Sequence, residues 1–245
     1  MSTNSCLLQI GTMEVLVVRK SIRNLHLAVL PPDGRVRVSS PLHLKDDAIR
    51  TLIATRIPWI RTQKARFEGQ ARQTPREYIS GESHFLLGKQ YRLEVLQGDQ
   101  IPHVSLRGKN KLVLQARQNS TMERREAILM DWYRRELKAV SASLLESWQE
   151  KIGVQVGSWG IKRMKTRWGT CNRNAGRIWL NLELVKKPFA CIEYVIVHEL
   201  LHLIEKKHNE HFVALMTKHL PKWLSSKEEL NRLMLAHEKW GACGY

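Results

Sequence analysis

The sequence predicts an α+β fold: a β-rich N-terminal part, then a helical part that carries one buried, histidine-bearing helix. Three observations predict it. Apolar residues alternate with polar ones over residues 13–38 and again over 78–115, the period of a half-buried strand. Over residues 121–151 they recur at helical spacing instead. Residues 190–212, ACIEYVIVHELLHLIEKKHNEHF, then combine an apolar helix with closely spaced histidines.

In chain order, Val15 and Val17, then Leu25, Leu27 and Val29, mark short strands. Pro31-Pro32-Asp33-Gly34 is a turn, and Val36 and Val38 resume the alternation to complete a hairpin. Ile49, Leu52, Ile53, Ile57 and Ile60 place a helix over residues 45–67, with Gly69 as its stop. Pro58 should kink or interrupt that helix, because proline lacks the N–H and its ring crowds the preceding turn. Leu87-Gly88 reads as a tight turn leading into Tyr91, Leu93 and Val95. Val104 and Leu106, then Leu112 and Leu114, flank a second hairpin turn at Arg107-Gly108-Lys109-Asn110. His84 and His103 stand alone and read as packing or surface residues.

The polar run Gln118-Asn119-Ser120-Thr121 is the expected boundary between a β-rich subdomain with one helix (14–118) and a second subdomain (119–240). Ser120 with Glu123 forms a capping box. The helix it starts should run to about Lys151, with Leu129, Trp132, Tyr133, Leu137, Leu144 and Trp148 on its apolar stripe, packed beside the histidine helix. Strands are expected around Gly157, Gly160, Gly169 and Gly176, the last of them over residues 177–182. A short helix over 212–219 stops at Pro221, and Ser225-Ser226-Lys227-Glu228 caps a final one with Leu230, Leu233 and Met234 inward. No internal repeat is visible.

The chemistry lies in His198-Glu199-Leu200-Leu201-His202, an HExxH. On a helix each residue turns about 100°, so the two imidazoles share a face one turn apart, close enough to hold one ion. Glu199 falls on the edge of that face, where it can reach a water without becoming a ligand. Two packing histidines are the plain alternative. It accounts poorly for Glu199 set among Tyr194, Val195, Val197, Leu200, Leu201 and Leu203, since a buried carboxylate is costly without a compensating cation or hydrogen bonds. A third ligand is needed. His208 lies six residues after His202, about 9 Å further along a continuous helix, so the helix must end or bend between Leu203 and Lys207 for it to join. His211, Glu228 and Glu229 are rival third ligands.

These residues carry a family resemblance. The run from His198 through His202 and Leu203 to His208 and Phe212 resembles the zinc signature of the YgjP-like metallopeptidases, minimal zincins related to the SprT-like group. Upstream, Arg167-Trp168-Gly169-Thr170-Cys171 is similar to that family's R-W-G-S-C, and Ile178-Trp179-Leu180-Asn181 to its I-x-L-N. Pro188 with Tyr194-Val195-Ile196-Val197 resembles the approach to the helix, and Pro221-Lys222-Trp223 a late P-x-W. Thr170 and Val213 depart from it, standing where Ser and an aromatic are usual. The resemblance implies a zincin-like core with one Zn²⁺ per chain held by His198, His202 and His208, and Glu199 as general base in peptide hydrolysis. It also implies that the strand over 177–182 borders the cleft and pairs with an extended peptide or unfolded protein, which brings Trp168 and Asn181 near the substrate. Arg167 is the candidate for stabilising an oxyanion.

Composition bounds the rest. A 43% hydrophobic, 26% charged chain is globular. Cys6, Cys171, Cys191 and Cys243 show neither CxxC spacing nor a disulfide framework, and Cys191 reads as core packing. With no positive leader region and no membrane-length apolar run, the expectation is a soluble cytoplasmic protein that does not enter the membrane. The net charge of +17 suits a solvated surface, or weak binding of nucleic acid or nucleotide. Arg163, Lys165 and Arg167 alternate, so a strand there would present three cations on one side. They would equally serve hydrolysis of a nucleotide phosphoanhydride, or a DNA-associated protease or polyanion-binding protein with a structural zinc.

Overall fold

The computed structural model describes residues 4–30, 34–68, 76–164 and 167–232. The turn residues 31–33, Gly69, Lys165, Leu233 and Met234 lie outside this set. The chain parts into two compact units, Met1–Gln73 and Thr74–Tyr245. The polar run at 118–121, where the boundary was expected, falls inside the second unit at the start of a helix. The reason is packing: the second set of strands shares one core with everything that follows it, including Leu93 and Leu114 on the strands and Leu137 and Ile196 on the helices.

The first unit has β1 (Asn4–Ile10), β2 (Met13–Lys20), β3 (His26–Leu30), β4 (Arg35–Pro41) and α1 (Asp46–Glu68). Its sheet runs β1-β2-β4-β3, with β2 and β4 parallel and the outer pairs antiparallel. Val15, Val17, Val36 and Val38 point to one face and bury against Ile49, Ile53 and Ile60 of α1. α1 continues through Pro58, so of the two expected outcomes interruption does not occur. Pro58 is on the exposed side, so the hydrogen bond it forfeits lies toward solvent, while inward Ile53 and Ile60 hold both halves to one sheet. β1 was not legible in sequence, because exposed Leu7 beside buried Leu8 hides the alternation.

The second unit opens with β5 (Ser83–Leu86), β6 (Lys89–Gln97), β7 (His103–Arg107) and β8 (Lys111–Ala116). Its sheet order, β5-β6-β8-β7, and its parallel central pair repeat the arrangement of the first unit. His84 is buried and pairs with Glu82 at 3.2 Å, a packing role; His103 is exposed. α2 (Met122–Ile152) follows, capped by Thr121, whose hydroxyl accepts from the Arg124 N–H; the cap is one residue later than the expected Ser120. A three-stranded sheet then forms in the order β10-β11-β9 from β9 (Ser158–Lys162), β10 (Gly169–Asn172) and β11 (Arg177–Asn181). A 3₁₀ turn, Leu182–Lys186, leads into α3 (Phe189–Leu201), α4 (Glu210–His219) and α5 (Trp223–Arg232).

α3 is the buried centre of this unit, with Cys191, Ile192, Val195, Ile196, Val197, Leu200 and Leu201 all inside. A helix apolar on every side must be wrapped, and two contacts fix its position. The Trp148 indole N–H of α2 donates to Glu193 at 3.0 Å. The β5–β6 turn abuts its start: the Leu87 N–H donates to the Val185 carbonyl at 2.7 Å, and Gly88 lies against Pro188. Gly88 has φ +81°, and a Cβ there would meet Pro188 Cα and Cγ at 3.0 Å. Gly88→Ala is therefore expected to lower the unfolding free energy by about 2 kcal/mol, through left-handed strain plus the clash, measured by urea denaturation.

Candidate metal centre

α3 ends at Leu201, with His202 as its C-cap, earlier than the expected break over residues 203–207. No glycine is needed. The chain tightens into 3₁₀-type bonds, Leu203 N–H to Leu200 O at 3.0 Å and Ile204 N–H to Leu201 O at 2.9 Å. Glu205 organises the return. Its carbonyl accepts from His202 Nδ1 at 3.0 Å, and its carboxylate accepts from the Lys207 N–H at 3.0 Å. Asn209 then caps α4 by accepting from the Phe212 N–H at 3.0 Å. The loop so held brings His208 back over the end of α3.

The ligand atoms of His198, His202 and His208 all lie within 4.8 Å of one another. His198 Nε2 is 3.2 Å from His202 Nε2 and 3.0 Å from His208 Nε2. Phe212 sets its ring against all three imidazoles, with centroids 5.0, 4.9 and 4.9 Å away. The bond from Nδ1 of His202 to a carbonyl fixes that proton on Nδ1 and leaves the Nε2 lone pair free for a cation. Burial, then the neighbouring imidazoles, push His198 down to about 3, and burial also lowers His208. Both are neutral near pH 7, as metal ligands must be. Three imidazole nitrogens converging on one point fit a divalent cation of the zinc type and leave a position over.

The rival ligands stand elsewhere. His211 faces the Glu205 carboxylate at 3.6 Å, and Glu229 approaches Cys191 Sγ at 3.8 Å. Neither His211 nor Glu228 or Glu229 joins the cluster. Cys191 is buried, as packing requires.

Glu199 projects beside the cluster, only 6% exposed. It lies flat against β10 at Gly169, where a Cβ would come within 2.6 Å of Oε1 and 2.7 Å of Cγ. Gly169 is thus the one residue type that admits the carboxylate. Burial pushes Glu199 up to about 8, partly opposed by the Arg167 guanidinium.

A cleft of about 740 Å³ opens over these groups, lined among others by Arg167, Trp168, Gly169, Arg173, Glu199 and Lys206. Three expectations change here. β11 is the middle strand of its sheet, flanked by β10 and β9, so its backbone groups are already paired. The edge that borders the cleft belongs to β10, whose outer side no strand pairs among the described residues. Asn181 is fully buried, and its amide is committed: the NH₂ donates to the Met164 and Arg167 carbonyls, both at 2.8 Å. It clamps the loop that presents Arg167 and Trp168 instead of touching a substrate. The three-cation strand does not form either. β9 stops at Lys162, Arg163 pairs with Glu126 of α2 at 3.3 Å, Lys165 lies outside the described residues, and of the two described cations Arg167 lines the cleft.

Sequence reasoning passed over Glu205, whose polar run signalled only a bend. Gly169 and Phe212 stand in the sequence as motif letters whose roles only the packing defines. The geometry predicts that zinc raises the melting temperature of the protein, because a ligand bound by the folded state alone stabilises it, by about 2.7 kcal/mol at 100-fold excess over Kd. His208→Ala should abolish that zinc-dependent shift in a thermal melt while leaving the metal-free melting temperature near wild type.

No curated protein matches. A solved structure titled "Crystal structure of the metallopeptidase zymogen of Pyrococcus abyssi abylysin" is similar at 21% identity and a TM-score of 0.34, covering 36% of this chain and 90% of that one. The family model described as "YgjP-like, metallopeptidase domain" matches residues 23–233, which runs from β3 through α5 and takes in the cleft and all three histidines, and the chain belongs to that family.

Proposed function

We propose that this metallopeptidase is a zinc enzyme that hydrolyses peptide bonds in extended or unfolded protein segments, with Glu199 as general base. The observation that carries it is the Glu199 carboxylate, buried against Gly169 beside three converging imidazoles yet outside the ligand set. His198, His202 and His208 would hold one Zn²⁺ per chain. When bound, the metal supplies Lewis acidity that polarises a carbonyl and eases ionisation of water at neutral pH.

The chain's own groups do the rest. An extended peptide adds to the open edge of β10, which supplies main-chain hydrogen bonds and lays the substrate across Glu199. Glu199 takes a proton from the attacking water and returns it to the leaving amine. Its raised affinity for that proton, set by burial, suits both transfers. Arg167, at the cleft wall, offers positive charge to the oxyanion. Phe212 and the Glu205 carbonyl hold the imidazoles in register.

Hydrolysis of a nucleotide phosphoanhydride is the second reading, favoured by the exposed cations Arg167, Arg173 and Lys206 in the same cleft. None of the described helices is long and apolar enough to cross a membrane. The free thiols Cys6, Cys171 and Cys191 support a reducing, cytoplasmic setting.

Glu199→Gln is expected to keep zinc, by elemental analysis, while cleavage of an unfolded protein falls about 10²-fold or more. Retention of activity removes Glu199 from the mechanism. Wild-type protein that hydrolyses nucleoside triphosphates and no peptide favours the second reading.

A further inference from the structure

The cleft is electrically one-sided. Arg167, Arg173 and Lys206 line it, all exposed, and among the described residues none of them makes an ion pair. Some basic residues elsewhere in the unit do find partners: Arg163 with Glu126, Arg135 with Asp131 and Lys186 with Glu183. Among the described residues the cleft has one carboxylate, Glu199, and that one is buried. Any charge presented to a ligand there is positive.

The placement matters as much as the sign. Arg167 stands two residues before β10 and Arg173 directly after it, so the pair brackets the open edge. At about 3.3 Å per residue the four-residue strand spans roughly 13 Å. A peptide paired along it therefore has a cation near each end. Lys206 reaches the same cleft from the loop between His202 and His208.

We infer that the substrate class is an acidic extended peptide, one that carries Asp or Glu on both sides of the bond cut. This rests on the peptidase reading and narrows it. A nucleotide or single-stranded nucleic acid would also be drawn by the charge, but base recognition needs an open aromatic face. Of the two large rings lining the cleft among the described residues, Tyr194 is buried and stacked on Trp223 at 6.3 Å, and Trp168 has one face taken by Lys187 Nζ, 5.3 Å from its centroid. The free edge of β10, by contrast, is a peptide-backbone feature.

The test uses the zinc-loaded full chain and three quenched fluorogenic peptides of equal length, alike except for Glu, Gln or Lys flanking the central bond. At low ionic strength kcat/KM should rank Glu over Gln over Lys, with the outer two about tenfold apart, the sum of a few exposed ion pairs. Sodium chloride at about 0.5 M should compress the ranking toward equality. The double variant Arg173→Glu, Lys206→Glu should invert the order, and a reversed ratio does not arise from loss of folded protein. If that variant does not fold, the wild-type ranking and its salt dependence decide alone. Equal rates for the three peptides overturn the inference and leave the peptidase reading standing. No cleavage of any of them, with hydrolysis of a nucleoside triphosphate, overturns both.

Discussion

A carboxylate held out of water beside three converging imidazoles is the constraint on which the rest of the second unit depends. Ionised and alone, Glu199 would oppose folding, because its desolvation is not repaid by any side-chain hydrogen bond among the described residues. Its tolerance requires a residue without a Cβ on the neighbouring strand, a guanidinium within electrostatic reach, and a site fit for a cation next to it. Gly169, Arg167 and the histidine cluster meet those needs, and each is placed by a separate element. Trp168-Gly169 and the run from His198 to His202 are thus one piece of chemistry written at two places in the chain.

The helix–histidine core of the site was legible, because ligand spacing on a helix is fixed by the backbone period. His198, His202 and the position of Glu199 follow from that period alone. His208 was legible only as a condition, that the helix must stop. How it stops depends on Glu205, whose carbonyl and carboxylate both act within the loop and leave no periodic trace. Asn181 shows the opposite limit. Its sequence neighbourhood suggested the cleft, yet a buried amide with four polar partners serves the backbone of a loop. Which strand is central and which is an edge is likewise a non-local matter. β11 has the more regular strand pattern, but β9 crosses over to pair with it in parallel and leaves β10 outside.

Strands were legible in the N-terminal half and their grouping was not. Alternation identifies a half-buried strand without naming the face that covers it. The two four-stranded sheets share one order and one mixed pairing, each followed by a helix, although no repeat shows in the letters. The first closes on α1 with a small valine–isoleucine core of its own. The second closes on α2, whose far end reaches the histidine helix through Trp148 and Glu193. The same plan therefore makes a self-contained unit in one case and a foundation in the other. What differs is the length and apolar breadth of the helix laid on it.

Phe212 has a wider consequence. A single benzene ring buttresses all three imidazoles, and it is carried by α4, whose first turn also follows directly from the third of them. The ligands cannot relax one at a time. On the proposed ligand set, a guest ion that prefers a flatter or roomier arrangement would work against the packing of that helix, so discrimination among metals would rest on the packing behind the nitrogens as much as on the nitrogens themselves.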